Sequence, residues 1–234
     1  MSPVPRAGAS GPAEPEQAGR WLGLLRLDTH FPRLPGDAGR EDSWPMPVRT
    51  RVVRGASPER VVQGRAEGLL EAFIDAARAL QAEGAAGLTT SCGFLIRHQA
   101  ALQAAAGPGL PVWTSALLAL PALPSPGVIT VDAGSLDASC LAAAGAPANT
   151  PVEGLEPGCS LQRTLLQNLP TLDEADAEAC TVAAALRLVR RHPGIRSIVL
   201  ECTNLPPHAD AVRAATGLPV HHLIGHVTER WNTP

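Results

Sequence analysis

The sequence contains no lysine and no tyrosine, and these two absences narrow the chemistry available to the chain. All 19 of its basic side chains are arginines. Schiff-base chemistry needs an ε-amine, so a substrate imine on lysine and an anchor for pyridoxal phosphate are both excluded. Without tyrosine, no phenol can serve as a general acid.

Long uninterrupted apolar runs are also lacking. The most apolar long stretch, residues 110–131, is broken by Pro111, Pro121, Pro124 and Pro126, which predicts a strand, a short helix and a strand rather than a membrane span. The net charge of −3 gives no electrostatic attraction to nucleic acid or to an anionic membrane. We therefore expect neither of these partners, and a homodimer is left open.

Residues 1–20 contain Pro, Ala, Gly and acidic residues but no apolar segment typical of a secretion signal, so they predict a disordered tail. The five cysteines are an odd number, and without such a signal we expect reduced thiols in a cytoplasmic protein. Hydrophobic residues make up 45% of the 234 residues, which indicates a globular protein with an ample core.

Short apolar runs alternate with helical patterns along the chain, which predicts parallel sheets covered by helices. The series begins with a strand at residues 21–27 and restarts near residue 125. Within it, Ser57-Pro58 is typical of a helix start, and the apolar spacing predicts one helix up to Gly84. The predicted fold class is α/β, with two similar lobes, each a mostly parallel sheet flanked by helices, and an active site in the cleft between them.

A long irregular segment, residues 31–47, lies between the first two predicted strands and is rich in Pro, Gly and Asp. Loops of this length inside a compact domain are uncommon and tend to be functional. We therefore expect this segment to fold over a site, and a tolerated surface insertion is the alternative.

Two stretches, one in each half, run from a strand into a cysteine and on to a helix. Thr89-Thr90-Ser91-Cys92-Gly93 is the first, and Ile198-Val199-Leu200-Glu201-Cys202-Thr203-Asn204 is the second. Open α/β sheets bind ligands at the carboxyl ends of their strands. We therefore take Cys92 and Cys202 as the candidate catalytic residues, although a single strand-end cysteine is more often a small buried hydrophobe. The remaining cysteines are interpreted as structural: Cys140, Cys159 and Cys180.

Two thiols that face each other across a cleft can transfer protons on opposite faces of one carbon. An unperturbed thiol has a pKa of about 8.5, so its thiolate is a base of modest strength. The thiolate removes a proton and the other thiol delivers one, which inverts the carbon without metal or cofactor. Candidates to hold a substrate carboxylate are the strand-end residues Arg26, Asp28, Thr90, Ser91, Gly93, Thr114, Ser115, Thr203 and Asn204. Capping of a helix or turn is the alternative for Asp28.

Metal and nucleotide cofactors lack a comparable signal. His221, His222 and His226 are clustered, but no Cys-x-x-Cys pair accompanies them, so we predict no metal site. No Gly-x-Gly-x-x-Gly motif follows a predicted strand, and the sequence has no phosphate-binding loop. We expect no cofactor, and we interpret these histidines as surface or hydrogen-bonded residues.

The motifs around both cysteines resemble the two cysteine motifs of the aspartate/glutamate racemase superfamily. Residues 89–93 and 201–204 carry the resemblance, and residues 23–29 are similar to the first-strand segment of a less characterised branch. The resemblance covers the chain from residue 21 to its end. It implies a pseudo-symmetric two-lobed α/β fold, with residues 21–124 plus 214–234 in the first lobe and residues 125–213 in the second.

The resemblance also implies cofactor-independent racemisation or isomerisation, with Cys92 and Cys202 as the two bases. Members that keep one of these cysteines include decarboxylases of malonate type, so the presence of both favours inversion. Asn204 departs from the His or Glu that family enzymes often carry at this position. A specialised carboxylate or a hydantoin-like ring is therefore an alternative to an amino acid.

From these observations we predict a pyridoxal phosphate-independent racemase or epimerase, an isomerase that acts on a small carboxylate-bearing substrate such as an amino acid or a derivative. Two alternatives are kept. A cis/trans isomerase of a dicarboxylate, of maleate type, would add one thiolate to carbon while the other thiol supplies a proton. A non-catalytic carboxylate-binding protein would keep the same fold without using either thiol.

Overall fold

The computed structural model describes residues 19–233. These residues form two four-stranded sheets, each flanked by helices, which confirms the predicted α/β fold class. Apart from Gly19 and Arg20, the tail predicted for residues 1–20 lies outside the described residues. Among the helices formed by residues 19–233, none is long and apolar enough to cross a membrane.

The first sheet holds four parallel strands in the order β2-β1-β3-β4. Its strands are β1 (Leu22–Leu27), β2 (Val48–Val53), β3 (Gly87–Thr90) and β4 (Val112–Trp113). The α-helices that accompany them are α1 (Leu70–Ala82) and α2 (Gln99–Ala106). Every residue of β3 is buried, as is expected of a parallel strand covered on both faces.

The second sheet repeats this arrangement with the order β6-β5-β7-β8, again all parallel. Its strands are β5 (Pro126–Thr130), β6 (Val152–Gly154), β7 (Ser197–Leu200) and β8 (Val220–His222). The helices of this part are α3 (Ala138–Ala143), α4 (Ser160–Leu166), α5 (Glu174–Arg191), α6 (Ala209–Thr216) and α7 (Leu223–Trp231). The strand orders match position by position, so β3 and β7 are equivalent.

The end of the chain is divided between the two sheets. Strand β8 pairs with β7, with Ile198 opposite Val220, and so lies in the second sheet rather than with the first-lobe segment implied by the resemblance. Helix α7 then returns toward the first sheet, where a Cβ placed on Gly87 would lie 3.2 Å from Trp231 Cζ3. The guanidinium carbon of Arg20 lies 4.6 Å from the centre of the same indole ring.

The single helix expected from Ser57 to Gly84 is wrong in its first half. A π-helical turn at Glu59–Gln63 is followed by left-handed backbone at Arg65, Ala66 and Gly68, and α1 begins only at Leu70. Glycine has low helix propensity and adopts left-handed backbone readily, which explains the conformation of Gly68 but not that of Arg65 and Ala66. Val62 and Ala66 are nevertheless buried, so apolar residues of an irregular segment imitate the helical spacing.

Candidate active site

Cys92 and Cys202 occupy equivalent positions in the two sheets. Each lies two residues beyond the end of its strand, because β3 ends at Thr90 and β7 at Leu200. The main-chain N–H of Phe94 lowers the pKa of the Cys92 thiol, and that of Asn204 lowers the pKa of the Cys202 thiol, in each case against the larger effect of burial. Both side chains are largely buried. The two strand-to-helix turns therefore present two thiols in the same local setting.

Both thiols line one cavity, whose empty space is about 360 Å³ when the part open to solvent is included. The two thiol turns form part of its wall, and the segment after β1, the turn before α1 and helix α4 complete it. Its apolar side chains include Leu27, Phe31, Val62, Phe94, Leu165 and Leu166. Among the described residues that line the cavity, none has a charged side chain. The cavity thus suits a small, partly apolar ligand that approaches two thiols.

A series of buried polar contacts leads from Arg33 through Asp37 and Asn204 to the Cys202 thiol. The Cys202 thiol lies 3.6 Å from Asn204 Oδ1 and can donate to it. Asn204 Nδ2 in turn donates to Asp37 Oδ2 at 2.5 Å, and Arg33 forms an ion pair with Asp37 Oδ1 at 2.8 Å. Because Asp37 fixes the amide nitrogen, the amide oxygen is left facing the thiol. This geometry favours Cys202 as a neutral hydrogen-bond donor.

The segment of residues 31–47 places Arg33 and Asp37 beside the second thiol turn. The main-chain N–H of Ala38 donates to the Thr203 carbonyl at 3.0 Å, and the Arg33 side chain also donates to Thr29 Oγ1 at 3.1 Å. Phe31, at the start of the segment, lines the cavity. The segment thus contacts both the cavity and the residue that faces Cys202.

Burial dominates the ionisation of both thiols. Burial first and Glu201 second raise the pKa of Cys92 to about 12, while the Phe94 amide and Arg33 act in the opposite direction. The pKa of Cys202 is raised well above the usual thiol value, again by burial first and by Glu201 second. Both sulfurs are therefore protonated thiols at neutral pH in the protein alone.

Glu201 is a fully buried carboxyl between the two thiol turns, and no role was predicted for it from the sequence. Its Oε2 accepts a hydrogen bond from Thr130 Oγ1 at 2.7 Å, while Oε1 has no partner in the described part of the chain. A Cβ on Gly93 would collide with both the side-chain and main-chain oxygens of Glu201. Burial raises the pKa of Glu201 to about 7, against the Thr130 hydrogen bond and Arg97.

Replacing Glu201 by glutamine is expected to change how stability depends on pH. The Glu201 pKa is about 7 in the folded chain and 4.5 in its ordinary range, so folding favours the protonated form. The free energy of unfolding of the native chain then falls as pH rises from 4.5 through 7. Glutamine cannot ionise and keeps a partner for Thr130. Between pH 5 and pH 8 the free energy of unfolding, measured with urea, should fall by about 2 kcal/mol more for the native chain than for Glu201→Gln. Parallel pH curves for the two proteins would contradict this assignment.

Six of the residues selected from the sequence lie together at the cavity. These are the two cysteines with Ser91, Gly93, Thr203 and Asn204. The Thr203 hydroxyl joins the two halves, since its Oγ1 donates to the Ser91 carbonyl at 2.6 Å, whereas Ser91 Oγ accepts from the Leu27 N–H at 3.0 Å within the first half. The candidate substrate contacts in this group stay predictions.

The remaining candidates lie away from the described cavity lining, and the hydroxyls and the carboxylate among them have other hydrogen-bond partners. Thr90 Oγ1 donates to the Thr114 carbonyl at 2.7 Å, and Thr114 Oγ1 donates to Gln99 Oε1 at 2.7 Å. Ser115 Oγ accepts from the Leu117 N–H, so this hydroxyl caps a 3-10 helix. Asp28 accepts from the Gly55 N–H at 3.3 Å, as a turn cap does. Arg26 lies opposite Val52 in the sheet.

The structure adds residues that the sequence did not indicate. Leu165 and Leu166 enter the cavity from α4, and Asp37 and Arg33 stand behind Asn204. The signals that could have found them were weak: the unusual length of residues 31–47, and an acidic residue inside an otherwise apolar strand end at Glu201.

The described residues include no group of three His, Cys, Asp or Glu side chains placed to hold a metal ion. The histidines at the end of the chain have other roles. His222 Nδ1 accepts from the Gly225 N–H at the start of α7, and His226 Nε2 accepts from Arg230 Nε at 3.0 Å. Burial lowers the pKa of His226 to about 4, so it is neutral at physiological pH.

Comparison with curated proteins finds relatives over most of the chain. It is 33% identical over 227 residues to a dimethylsulfoniopropionate lyase of Durusdinium sp. clade D, covering 87% of this chain and 71% of that protein. Dimethylsulfoniopropionate lyases 3 and 6 of Emiliania huxleyi (strain CCMP1516) are each 32% identical over 224 residues. The matches cover 87% of this chain but 57% of each of these two proteins. No protein-family model matches the chain.

Solved structures share the fold. Allantoin racemase from Klebsiella pneumoniae aligns with a TM-score of 0.62 and 12% identity, covering 90% of this chain and 87% of that one. A liganded arylmalonate decarboxylase variant aligns with a TM-score of 0.59 and 21% identity, covering 86% of each chain. At these identities the likeness concerns the fold alone. It confirms the α/β fold expected from the resemblance to the aspartate/glutamate racemase superfamily.

The predicted activity, a racemase or epimerase of the isomerase class, is contradicted by the curated relatives, which are named as lyases. The two alternatives, an isomerase of a dicarboxylate and a non-catalytic binding protein, are overturned by the same finding. A thiolate beside a carboxylate-bearing carbon predicts removal of a proton. It does not decide whether the carbanion is reprotonated on the other face or expels a group from the neighbouring carbon. The sequence motif therefore left the outcome of the reaction open.

Proposed function

The chain belongs to the dimethylsulfoniopropionate lyase family, and from this premise we propose that it cleaves the carbon–sulfur bond of dimethylsulfoniopropionate. This substrate carries a dimethylsulfonium group on Cβ and a carboxylate attached to Cα. The observation that supports the proposal most strongly is a pair of buried thiols in one cavity without charged lining residues. A small zwitterion with two methyl groups suits such a cavity.

The reaction is a β-elimination. A thiolate removes a proton from Cα, and the electron pair left behind forms a double bond between Cα and Cβ. The bond between Cβ and sulfur breaks at the same time or afterwards, and its electron pair leaves with the sulfur. The products are neutral dimethyl sulfide and acrylate, and the proton is held as a thiol. One base is therefore sufficient.

We assign the role of base to Cys92. A main-chain N–H favours a thiolate at each cysteine, but the Arg33 guanidinium favours one at Cys92, whereas the Asp37 carboxylate disfavours one at Cys202. Cys202 instead faces the oxygen of Asn204, which favours the protonated form. In this proposal Cys202 stays a neutral thiol and donates toward the charge that develops on the substrate carboxylate.

The cavity also suggests how the two ends of the substrate are held. With no charged side chain among the described lining residues, the Cys202 thiol and main-chain N–H groups of the thiol turns are the donors that we propose for the carboxylate. Phe94, Phe31 and Leu165 supply an apolar wall for the two methyl groups of the sulfonium. Aromatic faces also attract cations. This division gives the substrate one orientation, with Cα toward the thiols.

The purified protein is expected to release dimethyl sulfide and acrylate in equal amounts from dimethylsulfoniopropionate. Gas chromatography of the headspace measures the sulfide, and proton NMR measures acrylate. All five cysteines are free thiols, so the assay includes a reductant, which also matches the cytoplasmic location that we propose. Heat-denatured protein is the control. If neither product exceeds that control over a range of substrate concentrations, the proposed function is wrong.

A further inference from the structure

Cys92 lacks a counter-ion for its thiolate. None of the described residues that line the cavity is charged. The cation that acts on Cys92 is Arg33, but its guanidinium is already bound to the Asp37 carboxylate at 2.8 Å, and both side chains are buried. The buried pair carries no net charge, so it offers the thiolate little compensation.

The remaining ionisable groups around the thiol do not supply the missing charge. Glu201 and Cys140 act on Cys92 in the direction that disfavours a thiolate. Arg97 acts on Glu201 and Cys140, and it is itself bound to Asp137 at 3.1 Å. Burial is left as the dominant influence and raises the Cys92 pKa to about 12. In the protein alone the base of the proposed reaction is therefore protonated.

The substrate carries a permanent positive charge next to the carbon that loses its proton. We propose that the sulfonium itself is the counter-ion of the Cys92 thiolate, so that Cys92 gives up its proton only in the complex with substrate. This inference rests on the proposed function. On binding, the Cys92 S–H proton passes to the buffer, and the thiolate that forms then accepts the Cα proton, so that each turnover ends with Cys92 protonated again.

The expected size of this effect follows from Coulomb's law. Opposite charges in contact at a partly solvated protein site lower a thiol pKa by about 3. Such a change would increase the thiolate fraction about a thousandfold at pH values below both pKa values. The sulfonium would therefore bring the Cys92 pKa down from about 12 toward the usual range of thiols, relative to a neutral ligand with the same carboxylate. The apolar walls strengthen the effect because they exclude water, which would otherwise screen the two charges.

A matched pair of ligands tests the effect of the ligand's positive charge separately from the effect of its shape. 3-(Trimethylammonio)propionate and 4,4-dimethylpentanoate have the same shape and the same carboxylate, and differ only in a positive nitrogen against a neutral carbon. The protein is saturated with each in turn at about pH 9, and thiolate is measured by its ultraviolet absorbance. The cation is expected to produce a thiolate absorbance and to release a matching amount of protons, and the neutral isostere neither.

Two variants assign the signal to one sulfur. Cys92→Ser should abolish both the absorbance change and the proton release caused by the cationic ligand. Cys202→Ser should retain both, because Cys202 faces the Asn204 oxygen and stays protonated. The absorbance separates a thiolate from ionisation of Glu201, which would release a proton without any change at thiolate wavelengths.

Cleavage of dimethylsulfoniopropionate by the same preparation separates this inference from the proposed function. A protein that releases dimethyl sulfide, yet forms as much thiolate with the neutral isostere or without ligand, overturns the counter-ion role alone. Failure of the cationic analogue to inhibit cleavage overturns it as well. A protein that releases no dimethyl sulfide overturns the proposed function, and the counter-ion role with it.

Discussion

Cys92→Ser is expected to lower kcat for release of dimethyl sulfide by about a thousandfold, within the range for loss of a general base. An alcohol ionises at far higher pH than a thiol, so no cation in the cavity can make the serine a useful base at pH 8. The change is one atom in size, and Cys92 is largely buried, so the cavity keeps its shape. Headspace measurement of dimethyl sulfide at saturating substrate gives kcat directly.

Two matched variants define what this result means. Cys140→Ser changes another buried thiol, in α3 and outside the cavity lining, and should leave kcat within about threefold of the native value. Cys202→Ser should cost less than Cys92→Ser, because a serine hydroxyl can also donate a hydrogen bond to Asn204 or substrate. Equal losses at Cys92 and Cys202 would contradict the assignment of a single base.

The unequal roles of Cys92 and Cys202 distinguish an elimination reaction from inversion of a carbon. Inversion requires one group to take a proton and another to return it on the opposite face, so both thiols must titrate. Elimination consumes one base, because the electron pair leaves with the sulfide. The polar chain from Arg33 through Asp37 to Asn204 makes the two thiols unlike each other despite their equivalent strands. It therefore favours the one-base reaction.

The fold and the thiol pair could be predicted from the sequence, because both depend on local patterns. Buried strands such as Ile198–Leu200 read as apolar runs, and the polar residues that follow them fall at the carboxyl edge of a parallel sheet. Two cysteines in this position, one per half, must lie at equivalent edges if the halves repeat. The matching strand orders of the two sheets bring this about.

The supporting residues could not be predicted, because their role depends on contacts between distant parts of the chain. Asp37 meets Asn204 across 167 positions of sequence, from an irregular segment with no periodic pattern. Thr114 and Ser115 satisfied the same strand-end rule as Ser91, yet their hydroxyls are used by Gln99 and by the Leu117 amide. A strand end indicates which edge a residue lies on, but not which neighbour its side chain meets.

The second large effect is expected at Asp37. Asp37→Asn removes the charge but keeps the size, and leaves the Arg33 guanidinium buried without a counter-ion. Loss of one partner from a buried ion pair costs about 3 to 5 kcal/mol of unfolding free energy. Urea unfolding measures this loss. The exposed pair of Asp210 and Arg213 is the control, since Asp210→Asn should cost less than about 1 kcal/mol.

A double variant tests whether Asp37 positions the site as well as stabilising the chain. Arg33→Met together with Asp37→Leu removes both charges, and apolar replacement of a complete buried pair restores much of the stability. The Asn204 amide nonetheless loses the acceptor that fixes its orientation, so its oxygen no longer faces the Cys202 thiol reliably. We expect stability to recover toward the native value while kcat stays about tenfold low with KM little changed. Recovery of kcat along with stability would mean that Asp37 only stabilises the fold. If Asp37 orients Asn204, kcat must stay low even when the chain is stable.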